Sequence, residues 1–281
     1  KKSFDTKYTV EMKRLERLGS VAFFTVTASL VFHLLGISYD RWKVNICRNC
    51  DIITPLSSWT TSIRQRCYDA EVGSIFLSND STSYIPSNSF LTQVCIPNQY
   101  LMVNDPIEAL NCLIKANKQP DFVCLSRYRG QNCKCDYTKR TKGVVAMAVL
   151  AAFSLGILMF LTHLVAFVNI DYVLRWLIPL SFGLLIFSII CIVIAIGIAG
   201  GKLDEDAYHL RFRWSSIEDF SINGTVNPYW EEKFGNLTNV QYNIKVGWCF
   251  GMEIMALYFA LISLILYALM FVAKTRPEQK T

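Results

Sequence analysis

Apolar residues gather into four long runs, Leu18–Tyr39, Gly143–Val168, Val173–Gly201 and Val246–Ala273, separated by polar stretches. Each run exceeds the ~20 residues a helix needs to cross a hydrocarbon core ~30 Å thick. The pattern predicts an all-α, four-helix transmembrane bundle. Its connecting parts are a tail at 1–17, a first loop at 40–142, a turn at 169–172, a second loop at 202–245 and a tail at 274–281. A hydrophobic fraction of 52% agrees with that class, and the 18% of charged residues must then sit outside the spans.

Glycosylation sequons give the orientation. Asn79-Asp-Ser81 lies in the first loop, and Asn223-Gly-Thr225 and Asn236-Leu-Thr238 lie in the second. Sequons are useful only on the lumenal or extracellular side, so both loops are expected outside the cell. The short flanks agree, because Lys7, Lys13, Arg14 and Arg17 precede the first span and Lys274, Arg276 and Lys280 follow the fourth. The expectation is a plasma-membrane protein with both termini cytoplasmic. The first run reads as a retained signal anchor rather than a cleaved leader, and since the chain starts at Lys1, some cytoplasmic sequence is expected to precede it. The net charge of +6 reflects this topology and implies no nucleic-acid partner.

Eight of the ten cysteines, Cys47, Cys50, Cys67, Cys95, Cys112, Cys124, Cys133 and Cys135, fall in the first loop. An even number in an oxidising compartment implies a disulfide-braced domain, with the pairing open. Cys47-Arg-Asn-Cys50 has the spacing of half a zinc site and Cys133-Lys-Cys135 that of a redox pair. His209 is the only histidine in either loop, however, so structural bridges are expected and no metal or other cofactor. Cys191 and Cys249 are expected as buried thiols. Runs such as Trp42–Ile46 and Gly73–Leu77, set between Asn, Ser, Asp and Pro clusters, predict a small antiparallel sheet. Ile107, Leu110, Leu113 and Ile114 after Asp105-Pro106 predict one short helix over Pro106–Ala116. The second loop has no cysteine, so its shape must come from packing against the first loop or a partner. It presents Trp214, Phe220, Tyr229, Trp230 and Phe234.

Within the spans, Gly247 and Gly251, and Gly197 and Gly201, place small residues four apart. That spacing lets backbones approach and is expected to serve packing inside the bundle, with a partner seam as the other use. Glu253 lies roughly 10 Å into span four, where a carboxylate marks a functional site or a hydrogen-bonded brace held by Ser or Thr hydroxyls of a neighbouring span. His33 and His163 count to opposite membrane faces, so a relay through Glu253 is not expected and both read as interfacial packing. His-Glu-x-x-His, Gly-x-Ser-x-Gly and phosphate-loop motifs are all missing from the chain, which argues against an enzyme. No span shows the polar face that a pore-forming oligomer would need.

Arg41-Trp42-Lys-Val44 after span one, the small-residue tail Gly197–Gly201 of span three and Val246-Gly-Trp-Cys-Phe250 at the start of span four resemble the claudin, peripheral myelin protein and stargazin superfamily. So does the whole topology. Trp42, Trp59 and Trp248 are the motif candidates. The chain departs from the family at Leu56-Ser-Ser-Trp59, which is followed only at Cys67, and in a first loop about twice as long as a typical claudin's. A divergent member is the expectation. The resemblance implies a claudin-like fold and an auxiliary subunit of an ion channel or ionotropic receptor, with Gly247, Gly251 and Glu253 on the partner side and Trp214 and Trp230 as outer contacts. It implies, as the second reading, a cell-adhesion or junction protein.

Overall fold

A computed structural model describes residues 2–39, 41–47, 59–69, 93–102, 108, 111–112, 124, 133–167, 171–201 and 242–275. Its long helices are α1 (Lys2–Ser38), α2 (Lys139–Phe167), α3 (Asp171–Gly201) and α4 (Trp248–Thr275). All four are long and apolar enough to cross a membrane. The chain divides into a helical unit and a loop unit.

In the helical unit the buried positions repeat at alternating steps of four and three. On α4 they are Cys249, Glu253, Ala256, Ala260, Ser263, Tyr267 and Met270, and on α2 they run from Val144 through Ala148, Ala151, Leu155 and Leu158 to Thr162. A mean step of 3.5 residues is the seam of a coiled coil, so each helix buries one narrow stripe and leaves the rest for the bilayer. Small residues on the stripe let the helices approach, as at Gly19, where an added Cβ would lie 3.2 Å from the Ala166 Cα. Hydroxyls then clasp the helices together. Ser154 and Ser188 share a hydrogen bond of 2.7 Å between α2 and α3, Thr162 and Tyr267 share one of 2.7 Å between α2 and α4, and Ser29 donates to the Ala256 carbonyl at 2.8 Å. Such bonds average about 0.6 kcal/mol in a membrane, so packing of the stripe dominates and the clasps set its register.

The loop unit is built on an antiparallel sheet in the order β4-β3-β2-β1-β7, from β1 (Lys43–Cys47), β2 (Trp59–Thr61), β3 (Gln65–Asp69), β4 (Gln93–Pro97) and β7 (Tyr242–Val246). A second pair joins β5 (Tyr100–Leu101) to β6 (Cys135–Asp136). Ser62 tightens the β2–β3 turn by accepting the Gln65 N–H at 2.8 Å. β1 meets the expected strand at Trp42–Ile46. The described members of the expected helix, Glu108, Asn111 and Cys112, are helical, and Gly73–Leu77 lies outside the described residues.

Two boundaries shift from the hydropathy pattern. Span two begins earlier than Gly143, because Thr138 caps α2 by accepting the Thr141 N–H at 3.1 Å. Span four begins later than Val246, which is drawn into β7 opposite Lys43. That pairing also shows how a cysteine-free second loop is held: its last strand is stitched by backbone hydrogen bonds to the first strand of the other loop.

Among the described residues three disulfides brace the unit, Cys67–Cys95 across β3 and β4, Cys112–Cys133 and Cys124–Cys135. Cys133 and Cys135 are therefore bridged to different partners and do not form a redox pair with each other. The backbone of Cys47 is in β1; its side chain and Cys50 lie outside the described residues. Cys191 and Cys249 are buried and take part in no disulfide, as expected.

Candidate functional site

The most concentrated chemistry among the described residues is a polar cluster inside the helical unit. Glu253 on α4 is 1% exposed and His33 on α1 is 0% exposed. Their Nδ1 and Oε2 atoms lie 2.7 Å apart, and the His33 Nε2 lies 2.9 Å from the Ala148 carbonyl on α2. One imidazole thus joins three helices.

Proton counting follows from those partners. A carbonyl oxygen only accepts, so Nε2 must carry a proton and donate it. The Nδ1 to Oε2 contact then holds one proton, carried by either atom. Both placements leave the pair neutral overall, so an acid is kept in the bundle without a naked charge. The second carboxylate oxygen, Oε1, is buried without a hydrogen-bond partner among the described residues. It occupies the space over Gly36, where an added Cβ would stand 2.6 Å away. A side chain at 36 would force this carboxylate to shift from its place beside His33.

Two expectations are corrected here. His33 is not interfacial packing, and Glu253 is held by an imidazole rather than by Ser or Thr hydroxyls. The signal was present in the chain: His33 lies five residues before the end of α1 at Ser38, and Glu253 five residues after the start of α4 at Trp248. Antiparallel helices joined through β1 and β7 put those two counts at one depth. His163 remains apart, exposed on α2, with its ring tilted against those of Phe23 and Phe167 at centre distances of 5.6 and 4.6 Å.

The paired glycines also divide. An added Cβ at Gly247 would lie 1.8 Å from the Arg41 carbonyl oxygen, while its N–H donates to the Trp42 carbonyl at 2.8 Å. Gly247 therefore seats against its own chain's first loop. Gly251, Gly197 and Gly201 have nothing within 4 Å of an added Cβ, so the expected packing of these glycines inside the bundle does not occur. They sit off the buried stripe, and the close approaches fall to Gly19 and Gly36 instead.

In the loop unit, Trp42 and Trp59 are buried, with Trp59 opposite Asn45 across β1 and β2. Trp248 packs against Tyr39 with the rings tilted and their centres 5.0 Å apart. Sequence reasoning missed Arg66, which is buried on β3 with its guanidinium 4.9 Å from the centre of the Tyr100 ring. A cation over an aromatic face keeps its charge partly compensated. Asp136, half-exposed, accepts hydrogen bonds from the Lys142 ammonium and the Tyr137 N–H, which hold its carboxyl below the usual range. What little stability that adds is present above the unfolded carboxyl pKa and lost as pH falls through the folded one. Asn79, Trp214, Asn223, Trp230 and Asn236 lie outside the described residues.

Four membrane-length helices joined to a disulfide-braced sheet make this a multi-pass membrane protein. Neither a scan against protein-family models nor a search of curated proteins found a match to the chain.

Proposed function

We propose that this protein is an auxiliary transmembrane subunit of an ion channel or ionotropic neurotransmitter receptor, modulating its gating and trafficking in the manner of stargazin. The observation that carries the reading is the continuity between sheet and spans. β1 and β7 pair along five residues, and they connect to α1 and α4 through four residues and one residue. His33 and Glu253 tie the same two helices together just beyond those connections. The strands that a partner's outer domain would grip thus run on in the chain into two membrane helices, an arrangement a modulator uses and a passive anchor does not need.

The bundle's own interior supports a supporting role over a pore. Leu155, Leu158, Leu185 and Ile192 fill it with no exposed surface. The claudin and stargazin resemblance points the same way, through Trp42, Gly197–Gly201 and Val246–Phe250.

Purification of the tagged protein in gentle detergent from its native tissue, with mass spectrometry of what travels with it, tests the reading. A channel or receptor in stoichiometric amount is the expected result. Recovery alone, or with adhesion and cytoskeletal proteins, favours the junction reading, in which cells expressing the protein adhere or concentrate it at contacts with no channel present.

In the same reading the sheet is extracellular and both termini are cytoplasmic. Asn79→Gln, Asn223→Gln and Asn236→Gln should each remove one glycosidase-sensitive step in gel mobility. Full-length protein that glycosidase leaves unshifted would overturn that orientation.

A further inference from the structure

Six of the first loop's eight cysteines are taken up by bridges whose ends lie 28, 21 and 11 positions apart, Cys67–Cys95, Cys112–Cys133 and Cys124–Cys135. Cys191 and Cys249 belong to α3 and α4 and take part in no disulfide. Cys47 and Cys50 are thereby left as each other's one remaining partner in the chain, with Arg48-Asn49 between them. Two intervening residues make a four-residue turn, whose ends come within about 7 Å, the separation a disulfide spans.

A bridge of that span differs in kind from the other three. Disulfide and fold reinforce each other, because the bridge removes freedom from the unfolded chain, and the effect grows as about the 3/2 power of the loop it closes. On that scale the fold holds a four-residue ring shut roughly five- to twentyfold less firmly than the three longer loops. The chemistry points the same way. Cys-x-x-Cys spacing and a neighbouring cation both favour the thiolate, and Arg48 follows Cys47 in the chain. A well-stabilised thiolate leaves faster when its disulfide is attacked. β1 ends at Cys47, on the last rung it shares with β7, opposite Tyr242. Strand alternation places Cys47 on the face of Asn45, which is fully buried, whereas Cys50 comes after the strand has ended.

We infer that Cys47 and Cys50 form a fourth disulfide that works as a redox site, opened by protein dithiols of the compartment the loop faces while the three longer bridges stay closed. A thiolate of the dithiol attacks the Cys50 Sγ, the Cys47–Cys50 bond breaks, Cys47 leaves as a thiolate and a mixed disulfide forms. The dithiol's second sulfur then displaces Cys50. The reductant ends as a disulfide and Cys47 and Cys50 as two thiols, so two electrons and two protons have passed from one pair to the other. The oxidation state decides whether the segment leaving β1 is tied back to the end of that strand. This site is independent of the auxiliary-subunit reading and stands or falls without it.

The test exposes the full-length protein, purified in detergent without reductant, to graded dithiothreitol. Freed thiols are blocked with N-ethylmaleimide, and each cysteine is then read by peptide mass spectrometry after full reduction and a second label. Cys47 and Cys50 are expected to take the first label together, at a dithiothreitol concentration at least about fivefold below that needed for any of the other six. In the reduced protein, Arg48→Ala should slow alkylation of the pair about threefold near pH 6.5 and leave it unchanged near pH 9, a signature that a merely bracing disulfide does not produce. The double variant Cys47→Ser/Cys50→Ser should melt within about 5 °C of the parent, since it removes the smallest ring. Cys47 and Cys50 that open only along with the other six overturn the inference, as does a double variant that fails to fold. Labelling before any dithiothreitol is added overturns it too, by showing that no bridge was present. So does a disulfide-linked dimer that Cys50→Ser abolishes.

Discussion

Removing His33 or Glu253 alone is expected to cost the helical unit about 3–5 kcal/mol, because each leaves the other buried without its partner. That is a large share of the 5–15 kcal/mol by which folded proteins are commonly stable. His33→Leu strands a carboxylate at 1% exposure, with Oε1 already lacking a hydrogen bond. Glu253→Leu strands an imidazole nitrogen, and leaves only the Ala148 carbonyl to hold the ring. Replacing both removes the pair's desolvation cost together with its attraction, so the double variant should be more stable than the sum of the single losses implies by at least 1 kcal/mol. Thermal unfolding of the purified protein in detergent or bicelles, run on the three variants and the parent, measures this. Strictly additive losses would show that the two side chains act independently and would sink the account of a shared proton.

Gly247→Ala is expected to be nearly as damaging from a single methyl group. The new Cβ would meet the Arg41 carbonyl oxygen at 1.8 Å, and both sides of that contact are backbone. Neither side can turn away. Trp42 donates its N–H to the Thr61 carbonyl at 2.9 Å and receives the Gly247 N–H on its own carbonyl, so the segment at 41–42 is pinned between β2 and the start of α4. Relief requires parting β1 from β7 at their Lys43–Val246 end. A cost of about 3 kcal/mol follows, at the upper end of what overpacking exacts. Gly251→Ala, four residues on, should be neutral or stabilising by up to about 1 kcal/mol, since alanine is the better helix former and its methyl meets nothing. The two alanine variants compared in one melting experiment decide the matter. Equal melting temperatures would remove the claim that only Gly247 is a seat for backbone.

These glycines also show what the chain's pattern reveals and what it conceals. Four spans, a first-loop sheet and buried Cys191 and Cys249 were legible, because they rest on run length, alternation and local composition. The pair Gly247 and Gly251 read as one motif because sequence spacing says which residues share a helix face but not whether both belong to the helix. β7 takes the chain as far as Val246, and the helix starts only at Trp248. β7 itself was illegible: Tyr242–Val246 pairs with β1 in the other loop, and strand pairing across two loops depends on contacts far apart in sequence. The His33–Glu253 pair lay between these cases. Counting residues from the ends of α1 and α4 places them level, but only once the helix ends are known to within a turn. Arg66 was hidden for a different reason, since nothing local marks an arginine whose charge is taken up by a tyrosine thirty-four residues later.

The sheet's order has a consequence for the manufacture of this protein. β1 sits between β2 and β7, and β7 is separated from β1 by about 195 residues of chain. At about 5–20 residues per second, a ribosome needs roughly 10–40 s to supply the missing neighbour after β1 has been made. Throughout that interval one flank of β1 is an open edge of the kind that invites pairing with the wrong strand. The newborn protein therefore has a vulnerable age, which ends only when the ribosome reaches the threshold of the fourth span.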